Sequence, residues 1–217
     1  MTSYVLDFTS INPLSKNKPR QAIVLCHGYG GSGKDISILA MNWQRFLPDA
    51  VFLCPNAPEI CADNPQGYQW FDMRSTTEIM LEKSLIAEKK LNKFLDQISN
   101  NFQLESSKLA LVGFSQGCMI SVQTGLKREK QISCVVGYSG KVINKKHLAE
   151  NINSKPNFFL MHGANDNIVL PTSLLEAKDF LNKCGLKIKT KLFQNCEHSI
   201  PAEGISLGLA FLKKNLL

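Results

Sequence analysis

The feature that most constrains the fold is a series of short apolar segments that alternate with amphipathic helical patterns. Five segments are continuously apolar and have the length of buried strands: 21–28, 49–58, 109–115, 132–140 and 157–163. A sixth segment, 188–196, alternates between apolar and polar residues, which predicts a strand at the edge of a sheet. Strands that are apolar throughout are buried on both faces, as they are in parallel sheets.

Four further segments are predicted to be helices: 78–99, 116–127, 172–183 and 203–215. In most of them, apolar residues recur at three- and four-residue spacings, which is the period of one helix face. Strands alternating with helices predict an α/β fold, a mostly parallel sheet with helices on both faces. Ligand sites in such folds lie at the carboxyl ends of the strands.

Length and composition favour one globular domain over residues 1–217. Hydrophobic residues make up 44% of the chain and charged residues 20%, as in soluble proteins. No apolar run is long enough for a transmembrane helix, so we expect no stable membrane insertion. The N-terminus lacks the basic and apolar regions of a signal peptide, which favours a cytoplasmic location.

The formal net charge of +7 comes from lysines spread along the chain, which predicts a solvated basic surface. Weak attraction to anionic membranes stays open. No basic patch with aromatic residues is visible, so a nucleic-acid partner is not expected. Seven scattered cysteines without a CxxC pair predict reduced, mostly buried thiols and no metal site.

The motif that carries chemistry is Gly113-Phe114-Ser115-Gln116-Gly117. An apolar strand precedes it and a helix follows it, which is the context of a nucleophile elbow. The flanking residues must be small there because the strand and the helix nearly touch. The alternative is a plain strand-to-helix turn that contains a serine.

A serine hydroxyl needs a base to take its proton, and the chain has four histidines. In this fold type the triad order is Ser, acid, His, so His27 comes too early in the chain. His147 falls on a predicted solvated helix, and His162 is expected to hydrogen-bond backbone at a strand end. His198, in the loop after the last strand, is therefore the candidate base for Ser115.

Asp166 is the candidate acid because it follows the fifth strand, in the loop after Gly163. Its predicted role is to hold the tautomer of the His198 imidazole and to stabilise the imidazolium. The alternative role is that of a turn-forming residue. Other carboxylates lie on predicted helices or their flanks: Glu129, Glu150, Glu176 and Asp179.

Two backbone N–H groups are candidates for the oxyanion hole of an acyl-transfer site. One belongs to Gln116, the residue after the nucleophile. The other belongs to Tyr29, in the glycine-rich loop "CHGYGGSG" after the first long strand. This loop has neither the Lys-Ser/Thr ending of a P-loop nor the spacing of a dinucleotide-binding loop, so nucleotide binding is not expected.

The sequence resembles the phospholipase/carboxylesterase family of α/β-hydrolases, which includes acyl-protein thioesterases and small carboxylesterases. The resemblance lies in six blocks in order: "LCHGYGGSGKD", "CPNAPE", "WFD", "GFSQG", "HGANDNIVLP" and "EHSIPAE". It implies a compact hydrolase with no large lid domain, no cofactor, and Ser-His-Asp catalysis on carboxylic esters or thioesters. By position, it implies the triad Ser115, Asp166 and His198, with Tyr29 and Gln116 as oxyanion donors.

Two segments depart from the family pattern. Glu197 stands where the family usually has glycine before its histidine, and this carboxylate either raises the pKa of His198 or faces solvent. The segment "ICADNPQGYQ" near the expected acyl pocket also differs. We predict that the pocket is lined by Trp70, Phe71, Met73, Ile168 and Val169, with ordinary core packing as the alternative for each.

The predicted function is a serine carboxylesterase or thioesterase that cleaves short- to medium-chain acyl esters through an acyl-enzyme. An alternative is a lysophospholipase or acyl-protein thioesterase that acts at membrane surfaces. A third is a hydrolase-fold binding protein without catalysis, although both nucleophile and base are present. The sequence leaves open the acyl length, the leaving group and the oligomeric state, a homodimer included.

Overall fold

A seven-stranded sheet forms the centre of the molecule, in a computed structural model that describes residues 4–186 and 188–217. The strands run in the order β1-β3-β2-β6-β7-β8-β9, and all neighbours are parallel except β1, which is antiparallel to β3. Their bounds are β1 Phe8–Ile11, β2 Gln21–Cys26, β3 Ala50–Pro55, β6 Leu109–Phe114, β7 Cys134–Tyr138, β8 Asn157–Gly163 and β9 Ile188–Phe193. Two short strands, β4 Glu59–Ile60 and β5 Tyr68–Gln69, form a separate ribbon.

Helices cover both faces of the sheet. They are α1 Gly33–Trp43, α2 Thr77–Phe102, α3 Gln116–Lys127, α4 Lys145–Glu150, α5 Thr172–Lys183 and α6 Ala202–Leu216, with short 3-10 helices at Gln44–Phe46 and Ser106–Lys108. Helices α2, α3 and α5 pack on one face, where Val24 and Leu111 point. Helices α1 and α6 pack on the other, where Ile23 and Val136 point. The predicted α/β class with a mostly parallel, doubly covered sheet is confirmed.

The predicted strands and helices agree closely with the structure, and the alternating segment 188–196 contains the edge strand β9. Strand β1, the β4–β5 ribbon and α1 were not predicted, whereas α4 falls on the helix expected around His147. Helix α1 does carry a start signal, since the Ser32 hydroxyl accepts from the Asp35 amide and the Asp35 carboxylate accepts from the Ser32 amide. This reciprocal capping lies within the glycine-rich loop, whose composition obscured it.

The cysteines are reduced in the structure, as expected. All seven lie in the described chain and none forms a disulfide; six are buried. Burial raises the pKa of Cys26, Cys54, Cys118 and Cys134 to about 12, so these thiols stay un-ionised. Among the described residues, no helix is both long and apolar enough to cross a membrane.

The parallel register brings the chemically interesting residues to one edge of the sheet. Cys26 pairs with Gly113, Phe114 with Tyr138 and Gly163 with Phe193, so these strands end at the same level. The loops that follow the strands therefore meet beyond this edge.

Candidate active site

Ser115 occupies a sharp bend between β6 and α3. Its backbone has φ 52° and ψ −117°, a conformation that is strained for a residue with a side chain. The Ser115 amide donates to the Tyr138 carbonyl at 2.9 Å, which holds the bend against β7. A Cβ at Gly113 would lie 2.2 Å from the Gly117 carbonyl oxygen, and a Cβ at Gly117 would lie 2.0 Å from that of Cys26. Both positions therefore require glycine.

A continuous hydrogen-bonded chain joins Ser115, His198 and Asp166. The His198 Nε2 atom lies 3.0 Å from Ser115 Oγ, and His198 Nδ1 lies 2.7 Å from Asp166 Oδ2. Ser115 and Asp166 are buried, and His198 is half-buried beside the Phe114 ring, 4.9 Å between ring centres. Ser115 lies 83 positions and Asp166 lies 32 positions before His198 in the sequence, and the structure brings all three together.

The Asp166 carboxylate is held by bonds to both of its oxygens. Oδ1 accepts from the backbone amides of Ile168 at 3.0 Å and Val169 at 2.9 Å. Burial alone would raise the pKa of Asp166, but the bonds from His198 and from these two amides outweigh it and hold the pKa below its ordinary value. The carboxylate is therefore ionised at neutral pH and accepts the Nδ1 proton of His198.

The other histidines have local roles. His162 Nε2 lies 2.7 Å from the Val169 carbonyl and 3.2 Å from Asp166 Oδ2. Since a carbonyl oxygen only accepts, Nε2 carries the proton, and the expected bond to backbone at the strand end is present. His27 Nε2 accepts from the Ala57 amide. His147 lies on α4 and is half-buried.

The candidate oxyanion donors are the backbone amides of Tyr29 and Gln116, and both residues line one cavity together with Ser115. No hydrogen bond joins the Tyr29 or the Gln116 amide to another residue in the described part of the chain. Gln116 is the first residue of α3, whose initial N–H groups have no acceptor within the helix. Neither amide is thus taken up by another residue of the described chain.

The Gln116 side chain fixes the segment that leads to the cavity. It is 1% exposed; its Oε1 accepts from the Trp70 amide at 2.8 Å and its Nε2 donates to the Phe71 carbonyl at 2.7 Å. The Trp70 indole N–H donates to the His27 carbonyl at 3.0 Å. Trp70 and Phe71 are fully buried in the core. They do not line the cavity that contains Ser115, which corrects the prediction for both, because their rings are buried in the core that α2 and α3 cover.

Ser115 opens into a cavity of about 530 Å³. Three of the five predicted pocket residues line it: Met73, Ile168 and Val169. The sequence analysis missed others in its wall: Met119, Lys141, Leu170, Thr172, Ser173 and Glu176. Met119 was detectable, because it lies four residues after Ser115 and so faces the same side of α3. Lys141 and the α5 residues carry no local signal.

The two segments that depart from the expected pattern lie at the border of the site. Glu197 is exposed, so of its two interpretations the structure favours the one in which the carboxylate faces solvent. The segment after residue 59 forms the β4–β5 ribbon. The ribbon forms backbone hydrogen bonds with the glycine-rich loop: the Gly30 amide donates to the Tyr68 carbonyl at 3.0 Å, and the Tyr68 amide donates to the Gly31 carbonyl at 2.8 Å.

Comparisons with known proteins identify the family of the chain. The model of the Phospholipase/Carboxylesterase family matches residues 11–216. The chain is 30% identical over 218 residues to acyl-protein thioesterase 1 of Aspergillus fumigatus, covering 91% of this chain and 88% of that one. It is 29% identical over 211 residues to the Eremothecium gossypii protein of the same name, with the same coverage. The crystal structure of esterase PE8 superimposes with a TM-score of 0.92 at 32% identity, covering 97% of this chain and 99% of that one. The chain belongs to the phospholipase/carboxylesterase family and is a serine hydrolase that acts on carboxylic esters.

Proposed function

We propose that Ser115, His198 and Asp166 are the catalytic triad and that the enzyme cleaves short- to medium-chain acyl esters and thioesters through an acyl-enzyme. The observation that carries the proposal is the unbroken chain of hydrogen bonds from Asp166 Oδ2 through the His198 ring to Ser115 Oγ. Nucleophilic catalysis needs this arrangement of nucleophile, base and orienting group.

In the first step, Ser115 Oγ attacks the carbonyl carbon of the bound ester. The Oγ proton moves to His198 Nε2, 3.0 Å away, and the imidazolium is stabilised by the Asp166 carboxylate. The carbonyl oxygen becomes an oxyanion that accepts from the Tyr29 and Gln116 amides. The strained Ser115 backbone keeps Oγ at the tip of the bend, so little reorganisation is needed when charge develops.

Collapse of the tetrahedral intermediate breaks the bond to the leaving group. His198 gives its proton to the departing oxygen or sulfur, and the acyl group stays on Ser115 Oγ. A water molecule then attacks the acyl-enzyme while His198 Nε2 takes its proton. The second collapse returns that proton to Ser115 Oγ and releases the carboxylic acid.

The cavity wall supports an acyl substrate. Met73, Met119, Ile168, Val169 and Leu170 give it a largely apolar lining next to Ser115. An acyl chain gains about 0.8 kcal/mol for each CH₂ that it buries there. The volume of about 530 Å³ must also hold the groups around the scissile bond, which favours short and medium chains over long ones.

The test is hydrolysis of p-nitrophenyl esters of increasing acyl length by wild type, Ser115→Ala and the control Ser107→Ala. Ser107 is exposed and lies on the 3-10 helix away from the cavity. We expect activity that peaks at one chain length in wild type and the control, and none in Ser115→Ala. Labelling by a fluorophosphonate probe should likewise be lost only in Ser115→Ala. Hydrolysis by folded Ser115→Ala would refute the assignment.

A second candidate function is thioester cleavage on acylated proteins, or lysophospholipid cleavage, at a membrane surface. Its support is the apolar rim of the cavity, where Ile168 is 69% and Leu170 is 62% exposed. The relatives named acyl-protein thioesterase 1 point the same way. Turnover of an S-acylated peptide and of a lysophospholipid, each measured against Ser115→Ala, tests this; rates equal to that background would exclude it.

A further inference from the structure

Lys141 places a positive charge in the wall of the cavity that contains Ser115. It lies three residues after β7, whose last residue Tyr138 pairs with Phe114, the neighbour of Ser115. A Cβ at Gly140 would lie 3.1 Å from the Ser115 carbonyl oxygen. The backbone that carries Lys141 therefore runs directly beside the Ser115 bend.

The charge of Lys141 is not neutralised by a direct ion pair. Glu176, which lines the same cavity, binds Lys145 through Oε2 at 2.7 Å. Within the described chain, no carboxylate lies within 4.0 Å of the Lys141 ammonium. Lys145 chiefly lowers the pKa of Glu176, and Lys141 contributes from farther away. The three side chains thus carry a net charge of about +1 at neutral pH.

Two hydroxyl groups stand in the same cavity wall. Thr172 and Ser173 are the first residues of α5, and neither hydroxyl makes a hydrogen bond within the described residues. Met73, Met119, Val169 and Leu170 supply apolar lining in the same cavity. The cavity therefore combines an apolar surface for an acyl chain with hydroxyl donors and one uncompensated positive charge.

We propose that Lys141 is a specificity-determining residue that selects esters or thioesters carrying a carboxylate near the scissile bond. This inference rests on the proposed function, since it takes Ser115 as the point of attack. Because Glu176 is paired with Lys145, the Lys141 ammonium is available to form an ion pair with a substrate carboxylate. The Thr172 and Ser173 hydroxyls are further donors for that carboxylate. The carboxylate belongs either to the acyl chain or to the leaving group, and two substrate pairs distinguish these sources.

The first pair compares the mono-p-nitrophenyl ester of adipic acid with p-nitrophenyl hexanoate, which has the same six-carbon length with a methyl group in place of the terminal carboxylate. The second compares p-nitrophenyl butyrate carrying a carboxylate on the phenyl ring with plain p-nitrophenyl butyrate. The ratio of kcat/KM for the charged over the neutral ester is measured in wild type, Lys141→Met, Lys141→Glu and the control Lys146→Met. Lys146 is an exposed lysine of α4 outside the cavity wall.

In one of the two pairs, Lys141→Met is expected to lower the ratio about two- to fivefold, the size of an ion pair near a protein surface. Lys141→Glu reverses the charge, so its ratio should fall about four- to 25-fold. Lys146→Met should keep the wild-type ratio. The wild-type preference should shrink in about 1 M salt, where the Debye length falls to about 3 Å.

A ratio that Lys141→Met leaves unchanged in both pairs would overturn the proposal and make Lys141 a solvated surface charge. An equal fall in Lys146→Met would also overturn it, because the effect would then reflect overall charge. The proposed function itself would fail through a different result, namely hydrolysis that persists in the Ser115→Ala variant. Loss of the ratio in only one pair identifies the side of the scissile bond that carries the carboxylate.

Discussion

Replacement of Asp166 by asparagine is expected to inactivate the enzyme by moving one proton on His198. The change is nearly isosteric, so the packing around the buried side chain is kept. What changes is the hydrogen-bonding character of the group that faces His198, since a carboxylate only accepts whereas the NH₂ of a carboxamide only donates.

The structure fixes which way the new amide points. Asp166 Oδ1 accepts from the Ile168 and Val169 amides at 3.0 and 2.9 Å, so the carboxamide oxygen must take this place. The NH₂ group then takes the place of Oδ2, 2.7 Å from His198 Nδ1 and 3.2 Å from His162 Nε2. The His162 N–H keeps its bond to the Val169 carbonyl, so only His198 can change tautomer to accept from the new NH₂. This NH₂ can bond there only if His198 Nδ1 accepts, which leaves the imidazole proton on Nε2. Nε2–H then faces the Ser115 hydroxyl at 3.0 Å and cannot take its proton.

The expected loss in kcat is about 10⁴-fold, the effect of fixing the wrong tautomer in a Ser-His-Asp triad. KM should change much less, because Asp166 does not line the cavity. The assay is p-nitrophenyl ester hydrolysis near pH 7, with circular dichroism to show that the variant is folded. Asp179→Asn, on the exposed side of α5, is the matched control and should keep wild-type kcat.

A folded Asp166→Asn enzyme whose kcat falls less than about tenfold would refute this reasoning. It would mean that His198 reaches the active tautomer without Asp166, or that another carboxylate orients the ring. An equal loss in Asp179→Asn would show that the effect is not specific to the triad.

Three further predictions concern stability, pH and specificity. Gln116→Met leaves the buried Trp70 amide and Phe71 carbonyl unpaired, and should lower the free energy of unfolding, measured in urea, by about 2–5 kcal/mol. The control is Gln66→Met at an exposed position, and a change below about 0.5 kcal/mol in Gln116→Met would contradict the prediction. The lowered pKa of Asp166 adds stability that is fully present above about pH 5 and is lost as pH falls through the folded pKa, because the unfolded state binds more protons in this range. Urea titrations across pH should show that Asp166→Asn lacks this dependence, and an identical change of unfolding free energy with pH in wild type and variant would refute it. Met119→Trp enlarges a side chain in the cavity wall and should lower kcat/KM for hexanoate more than for acetate esters of p-nitrophenol; equal losses would place the acyl chain elsewhere.

The sequence by itself determined the α/β class and the candidate residues at the sheet edge. Continuous apolar runs must be buried on both faces, so the strands and their covering helices were predictable from local pattern. Parallel strands end at one edge, so Ser115, Asp166 and His198 could be grouped without coordinates. Glycine at 113 and 117 also indicated the bend, because only the absence of a Cβ allows the backbones to approach so closely.

Only the tertiary structure decided which side chains face the cavity. Trp70 and Phe71 were predicted to line the pocket because they precede the long helix together with Met73, yet the Gln116 carboxamide holds their backbone and their rings are buried in the core. Lys141 carried no local signal, and its place beside Ser115 depends on the pairing of β6 with β7. Burial and side-chain direction depend on contacts between segments that are distant in sequence, whereas the hydrophobic pattern and residue spacing reflect only neighbours along the chain.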